Sequence, residues 1–431
     1  MMEQRSNRMR IGLSLSGGGF RATVFHLGVL ARLAEEERLE DVAFLSTVSG
    51  GSLCAGLVYG CSGYRWPASR ELTDEVVPRA RELLTTTDLQ SSMMWRVLRV
   101  PFRVFGTRAD DLSLLLQKHW GITGQLCALA EHPRWMINAT CYETGQNFRF
   151  ERGRMGDYVL GYTSDTDIPL SDALSASAAF PGLIGPLKLD TRNRSWFKYQ
   201  VSYKEGGDVV RTQVEGEDRE RGRETTRPRY SRLHLWDGGV YDNLGLEGLH
   251  NFDEGWRQDV DFLVTSDGCG KLKPETYRPW KAANRLIRGI MMDQVRSLRF
   301  RALSERRTNH RDAGCYLQIG HTSQEILRTA GRDDEEAVRL GSRCLTAEEA
   351  TRAATMSTTI RRLTPEEFER LFRHGFEVAD STLYAGYPET FSYVGYGNVR
   401  FRQRTPKSSR WSDRAYLRGS SQERKGISVA A

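Results

Sequence analysis

Twice within its first 56 residues the chain runs a short apolar stretch into consecutive glycines and then into a helical pattern. Met9 to Ser16 (MRIGLSLS) alternates apolar residues and ends in Gly17-Gly18-Gly19, after which ATVFHLGVLARLAEEERL carries apolar residues at helical spacing. Val42 to Val48 ends in Ser49-Gly50-Gly51 and leads into the small apolar stretch SLCAGLVYG. A strand, turn and helix unit used twice predicts parallel strands with helices packed on the sheet. Asp261 to Gly270 (DFLVTSDGCG) is a third buried strand candidate, and Trp135 to Phe150 reads as strand, glycine turn and strand.

Between and beyond these units the pattern is mixed. Residues 64–130 are mostly helical and include the basic apolar stretch MMWRVLRVPFRVFG, which Pro101 must interrupt. They suit either a cap or lid over a site, or ordinary helices packed on the core. Lys204 to Arg229 is rich in Glu, Arg and Gly and reads as an exposed polar insertion. Trp280 to Arg307 shows a helical pattern with a basic face.

At 431 residues the chain suits one large domain with insertions or two unequal ones. With 39% apolar and 27% charged residues it has an ordinary globular balance. The net charge of +7 is concentrated: Arg400 to Lys425 holds nine Lys or Arg against Asp413 and Glu423, and residues 1–399 balance at 53 of each sign. A basic tail on a neutral body suits an anionic surface, or is simply solvated. Seven cysteines without C-x-x-C spacing point to reduced thiols and a cytoplasmic protein. The N-terminal residues lack an apolar segment of signal-peptide length, and no window reaches ~18 uninterrupted apolar residues, so neither export nor membrane spanning is expected.

The first glycine turn formally contains G-x-G-x-x-A (Gly17, Gly19, Ala22), the dinucleotide fingerprint. A dinucleotide site also needs an acidic residue at the end of the next strand. That strand ends in Ser46, Thr47, Val48 and Ser49, with Glu40 and Asp41 at its beginning. A phosphate-binding P-loop fails as well, since no Gly-Lys-Ser or Gly-Lys-Thr follows. What remains is a run of small residues whose N–H groups, at a helix N-terminus, can gather around an oxyanion.

Ser49 can be an ordinary helix N-cap or a nucleophile held at a sharp turn. Two glycine turns at the ends of adjacent parallel strands favour the second, one holding the nucleophile and the other the oxyanion donors. None of the eight histidines (His26, His119, His132, His234, His250, His310, His321, His374) sits in a triad motif. Asp237, where the apolar stretch LHLWD meets two glycines, is the better base, although an Asp-Gly turn is also common. A partly desolvated carboxylate there could take the hydroxyl proton directly. There is no cluster with metal-ligand spacing, and no cofactor is expected.

Four ordered blocks, SGGGFRA (Ser16 to Ala22), TVSGGS (Thr47 to Ser52), SASAAFPG (Ser175 to Gly182) and DGGVYDNLG (Asp237 to Gly245), resemble the patatin-like phospholipases. Thr47 stands where that family's nucleophile motif begins with glycine. The resemblance implies a three-layer α/β fold with a central, mostly parallel sheet flanked by helices, carrying helical insertions and a C-terminal extension. It implies a catalytic domain over residues 1–270 and says nothing of residues 271–431, where the sequence pattern predicts a mainly helical part over 271–399, packed on or extending that domain, and the basic tail over 400–431. It makes Ser49 the nucleophile, Asp237 its base and Gly17, Gly18 and Gly19 the oxyanion hole. Gly50, Gly51, Gly238 and Gly239 then support these, Asn243 is structural, the block around Pro181 walls the site, and Arg21 anchors the glycine loop or meets a phosphate.

The implied activity is that of a serine hydrolase, a phospholipase A or carboxylic ester hydrolase. It would cleave acyl esters of membrane phospholipids through an acyl-enzyme, at the inner membrane face, as a bacterial toxin or antiviral defence effector. The membrane surface is then the partner. A homo-oligomer and a cyclic-nucleotide activator stay open, and no nucleic-acid polymer is expected. The alternative is a catalytically idle module of the same fold that senses a lipid or nucleotide.

Overall fold

The computed structural model describes residues 8–93, 107–199, 202–203, 209–210, 223–251, 255–256, 258–270, 272, 274–310 and 313–399. The strands that position the site are, in chain order, β1 (Ile11–Leu15), β2 (Val42–Val48), β3 (Arg134–Cys141), β4 (Asn147–Glu151), β5 (Arg232–Asp237), β6 (Phe262–Asp267) and β7 (Gly314–Gln318). In space the order runs β7-β6-β1-β2-β3-β4 within a sheet that has 12 strands among the described residues. The first five of these are parallel. From β4 outward the sheet continues antiparallel through Arg154–Asp157, Gly161–Thr163, Trp196–Tyr199 and Arg223–Thr226. The last of these falls inside the polar insertion expected over 204–229, whose end is therefore an edge strand.

The parallel strands read as near-continuous apolar runs because helices cover both faces. Every residue of β1 is buried, and so are all but one of β2. α1 (Gly19–Glu35) and α2 (Gly50–Cys61) follow β1 and β2 as the repeated unit predicts. The segment after residue 270 extends the same sheet: β7 adds to its edge, and α3 (Pro365–Gly386) lies along α1. The described helices of 64–130 bury Leu84, Leu112 and Leu116 in the central core. The basic apolar stretch from Trp95 to Gly106 and the tail from Arg400 lie outside the described residues.

Two glycines set the approach of α1 and α3. A Cβ on Gly28 would stand 2.0 Å from the Phe372 carbonyl oxygen, and one on Gly375 would stand 1.9 Å from that of Phe25. The backbones touch, so no side chain fits between them. Near the far end of α1, buried Arg32 pairs with buried Asp380, whose other oxygen accepts the Gly395 N–H at 2.8 Å. A buried pair broken on one side leaves an uncompensated charge. Gly375→Val must push two helices apart, so it should lower unfolding free energy by about 3 kcal/mol or more, measured by urea denaturation.

Candidate active site

β3 organises the site by lending one edge to two strands in turn. β2 runs parallel along that edge until Val48 stands opposite Asn138. From the next residue the same edge is taken by β5, running the other way, with Asp237 opposite Ala139. The two strands meet head-on, which brings Ser49, the residue after β2, up to Asp237, the last residue of β5.

The local backbone is not that of an ordinary cap. Ser49 has φ 49° and ψ −113°, in the left-handed half of the map where only glycine is at ease. It occupies the N-cap position of α2, yet its side chain makes no capping hydrogen bond. The hydroxyl is left for other work. The turn can be this sharp because its neighbours are glycines: a Cβ on Gly50 would stand 2.4 Å from the Gly19 carbonyl oxygen. That contact also sets the two glycine turns side by side.

Asp237 is buried, and burial pushes its carboxyl up to about 7. Two interactions oppose the rise, the Gly239 N–H donated to Oδ1 at 2.7 Å and the hydroxyl of Ser49. Oδ2 has no hydrogen bond of good geometry, so the carboxyl keeps a free oxygen in a dry place. No histidine intervenes. His234 is held by Glu143 at 2.6 Å. His26 is buried beneath the first glycine turn, where burial lowers it to about 4 and keeps it neutral. Its Nε2 lies 2.9 Å from the Ser16 carbonyl, which can only accept, so Nε2 carries the proton and Nδ1 accepts from Ser266.

The glycine turn differs from expectation in one respect. Gly17 donates its N–H to the Asn243 carbonyl at 3.0 Å and so is already engaged. Among the described residues no acceptor takes the N–H of Gly18, Gly19 or Gly50. Gly18 and Gly19 have φ 137° and 62°, a backbone conformation that residues with a side chain rarely adopt. Ser16 holds the start of the turn: its carbonyl accepts from Gly51 at 3.0 Å as well as from His26, and its hydroxyl accepts the Gly268 N–H at 2.8 Å.

Arg21 is bound to backbone on two sides, as an anchor of the glycine turn would be. It is buried, with Nε donating to the Gly268 carbonyl at 3.1 Å and Nη1 to that of Met356. Asn243 lies with its Oδ1 wedged between Gly17 and Gly239 and its Nδ2 donating to Cys269 Sγ at 3.0 Å. Gly51 and Gly239 serve through the N–H groups already described, and Gly238 donates to the Ser177 carbonyl at 3.3 Å.

Ser177 is the residue that sequence reasoning missed. It sits at the end of the helix Leu170–Ser177, in the block taken for a wall. Its hydroxyl accepts the Ser49 N–H at 3.0 Å and donates to the Asn138 carbonyl at 2.7 Å. Two residues on, the Ala179 carbonyl accepts the Asp237 N–H at 3.1 Å. One short stretch therefore braces both strand tips. Its signal was the run of small residues Ser175 to Ala179, the only kind that fits so close to two backbones.

Thr47 belongs to the same brace. The Trp135 indole N–H donates to Thr47 at 2.9 Å, Thr47 contacts Ser52 at 2.8 Å, and Ser52 contacts Ser177 at 2.8 Å. Since Ser177 gives its proton to Asn138, the chain has one consistent direction, from Trp135 to Asn138. A glycine at position 47 would break it. Among the described residues no group of three His, Cys, Asp or Glu could hold a metal ion.

The raised carboxyl of Asp237 has a thermodynamic consequence. Between about pH 4 and pH 7 the folded protein holds a proton there that the unfolded chain has released, so this group's contribution to stability falls as pH rises through that window. Asp237→Asn should therefore gain stability relative to the parent as pH rises from 4 to 7, by up to about 4 kcal/mol at pH 8. Urea denaturation of both proteins at pH 4, 6 and 8 measures the difference.

Residues 13–250 match the family model of the patatin-like phospholipases. Patatin-like phospholipase domain-containing proteins of Chaetomium globosum and Neurospora crassa are 27% and 26% identical over 213 and 214 residues. Each match covers 48% of this chain but only 23% and 22% of those proteins, so the chain matches about a quarter of its relatives' length. Among solved structures, human GIVD cytosolic phospholipase A2 superposes with a TM-score of 0.49 at 14% identity, covering 89% of this chain and 62% of that one.

Proposed function

Because the chain belongs to the patatin-like phospholipase family, we propose that it is a lipid acyl hydrolase that cleaves phospholipid acyl esters with Ser49 as nucleophile and Asp237 as base. One observation carries the assignment: an uncapped serine at φ 49° beside a buried carboxyl poised at about 7. A base is most effective when its pKa lies near the working pH, since it is then both ionised and able to hold a proton. Family membership supports a lipid ester as substrate, and the two-residue geometry supports a reaction without histidine.

In the first step Asp237 takes the hydroxyl proton as Ser49 Oγ attacks the ester carbonyl. Negative charge collects on the carbonyl oxygen. The free N–H groups of Gly18 and Gly19, beside that of Gly50, are the donors for it. Collapse of the tetrahedral intermediate returns the proton to the leaving lysolipid and leaves an acyl-serine. Water, deprotonated by Asp237, then releases the fatty acid. Set loose on a bilayer, this chemistry degrades membrane, which is how the chain would act as a toxin or antiviral effector.

Purified wild-type, Ser49→Ala and Asp237→Asn proteins should be assayed on a fluorogenic short-chain ester and on phospholipid vesicles. Ser49→Ala should fall to the uncatalysed background, and Asp237→Asn should lose roughly 10²–10⁴-fold. Equal rates in all three would remove both residues from the mechanism and favour the idle module. In the wild type, kcat/KM should rise with pH about a midpoint near 7, since only ionised Asp237 accepts the proton.

Gly19→Val keeps the N–H but puts a side chain where a Cβ would already lie 2.7 Å from the Thr359 carbonyl oxygen. The loop must move, and kcat should drop by roughly 10²–10³-fold with KM little changed, as for a lost oxyanion donor. Steady-state kinetics on the soluble ester would decide it.

A further inference from the structure

The helix that runs from Pro279 to His310, through a wider turn at Leu286–Met291, has two unlike halves. Its downstream half is fixed to the body. Arg296 pairs with buried Asp267 at 2.8 Å, Arg299 lies 3.4 Å from Asp242, and Leu303 packs with Leu263, Met136 and Phe44. Its upstream half touches little. No described side chain from Pro279 to Val295 is buried, and Arg296 is the first that is.

What the upstream half exposes is apolar. Trp280 is 79% exposed, Ile287 58% and Met291 60%, with Tyr277 at 76% just before the helix begins. Leu272 and Leu286 are exposed beside them. The charge among them is one-sided: residues 271–293 hold six Lys or Arg against Glu275 and Asp293. Both of those acids are paired, with Arg285 and Arg296. Apolar and aromatic side chains interleaved with unbalanced basic ones are the composition of a helix that lies in a membrane interface.

Its position fits that surface. Asp267 ends β6 and Ser49 follows β2, and these strands are parallel through β1, so both lie at one end of the sheet. From Arg296 the helix runs back toward the starts of the strands, where Leu263 and Phe44 lie. Its upstream continuation therefore leaves the body at the Ser49 end, by about 24 Å to Trp280. Its foot is linked to the catalytic loops, because Arg299 meets Asp242 of the Asp237 block and Gly268, next to Asp267, donates to Ser16.

We infer that Tyr277–Met292 is a docking surface for an anionic phospholipid bilayer, seating the chain with Ser49 toward the lipid. This rests on the proposed action on lipid esters, and it adds where the bilayer is met. An occupant without negative charge would leave the basic excess unmatched, which argues against a second copy, whose same face is equally basic.

The full-length chain with Ser49→Ala serves for binding, so that vesicles stay intact. It should float with phosphatidylcholine vesicles that contain phosphatidylglycerol, and less with phosphatidylcholine alone. Adding Trp280→Ser, Ile287→Ser and Met291→Ser should lower the partition coefficient by roughly tenfold or more without changing the thermal unfolding midpoint. In the chain with intact Ser49 the same three changes should leave soluble-ester hydrolysis unaltered and slow vesicle hydrolysis by a similar factor. Unchanged flotation overturns the docking surface, as does a shift in sedimentation coefficient with flotation unaltered, which would mark the face as a contact between copies. If the wild type cleaves no ester but flotation still falls, the surface stands and the hydrolase assignment fails. If vesicle hydrolysis persists undiminished in the triple variant, the hydrolase stands and the surface fails.

Discussion

Everything at the site depends on the shared edge of β3. A strand edge has one row of N–H and C=O groups, and here β2 uses the first part and β5 the rest. Because the two arrive from opposite directions, their tips must face each other across one residue step, Asn138 to Ala139. Hydrogen-bond register therefore sets the separation of Ser49 and Asp237, and no side chain has to reach. A pair placed by two strand ends is held as firmly as the sheet itself, which is the kind of preorganisation the proposed reaction would use.

Around that meeting point polar groups are buried in number, and nearly all are accounted for. The chain of donors from Trp135 through Thr47, Ser52 and Ser177 ends on the Asn138 carbonyl, at the very residue where the edge changes hands. Asn138 also reaches Ser46 and the Thr47 carbonyl, and takes the Asn147 amide on its own oxygen. Such a network in a low-dielectric interior rigidifies when fully satisfied. Two acceptors there are left over, Asn147 Oδ1 at the margin of the network and Asp237 Oδ2 in the same dry setting. An unmet acceptor is costly for stability and useful for taking a proton.

The glycine turn is braced from the far end of the sequence. Phe20 donates to the Thr359 carbonyl at 3.0 Å and Arg21 to that of Met356, so the loop before α3 holds the turn in place. The close seam of α1 and α3 then fixes that loop against the sheet. The C-terminal part is thus mechanically tied to the glycine turn, although it carries neither Ser49 nor Asp237. The same logic applies to the helix at Arg296, whose foot leans on Asp267 beside the turn.

The sequence by itself determined the repeated strand, turn and helix unit, because period-2 and period-3.6 patterns and consecutive glycines are local properties. β2 was readable to the residue at Val42 and Val48, and Ser49 and Asp237 could be named from the small residues that must surround them. It also determined that no dinucleotide acid stood at the right strand end. Only the tertiary structure decided that Gly17 is engaged by Asn243, that Ser177 holds the Ser49 N–H and that Arg21 is bound to the Met356 carbonyl. Each of those depends on which distant carbonyl or hydroxyl comes within 3 Å, across separations of 226, 128 and 335 residues in the chain. Such contacts leave no periodic trace, since a hydrogen bond between remote segments constrains one atom on each and no pattern around it.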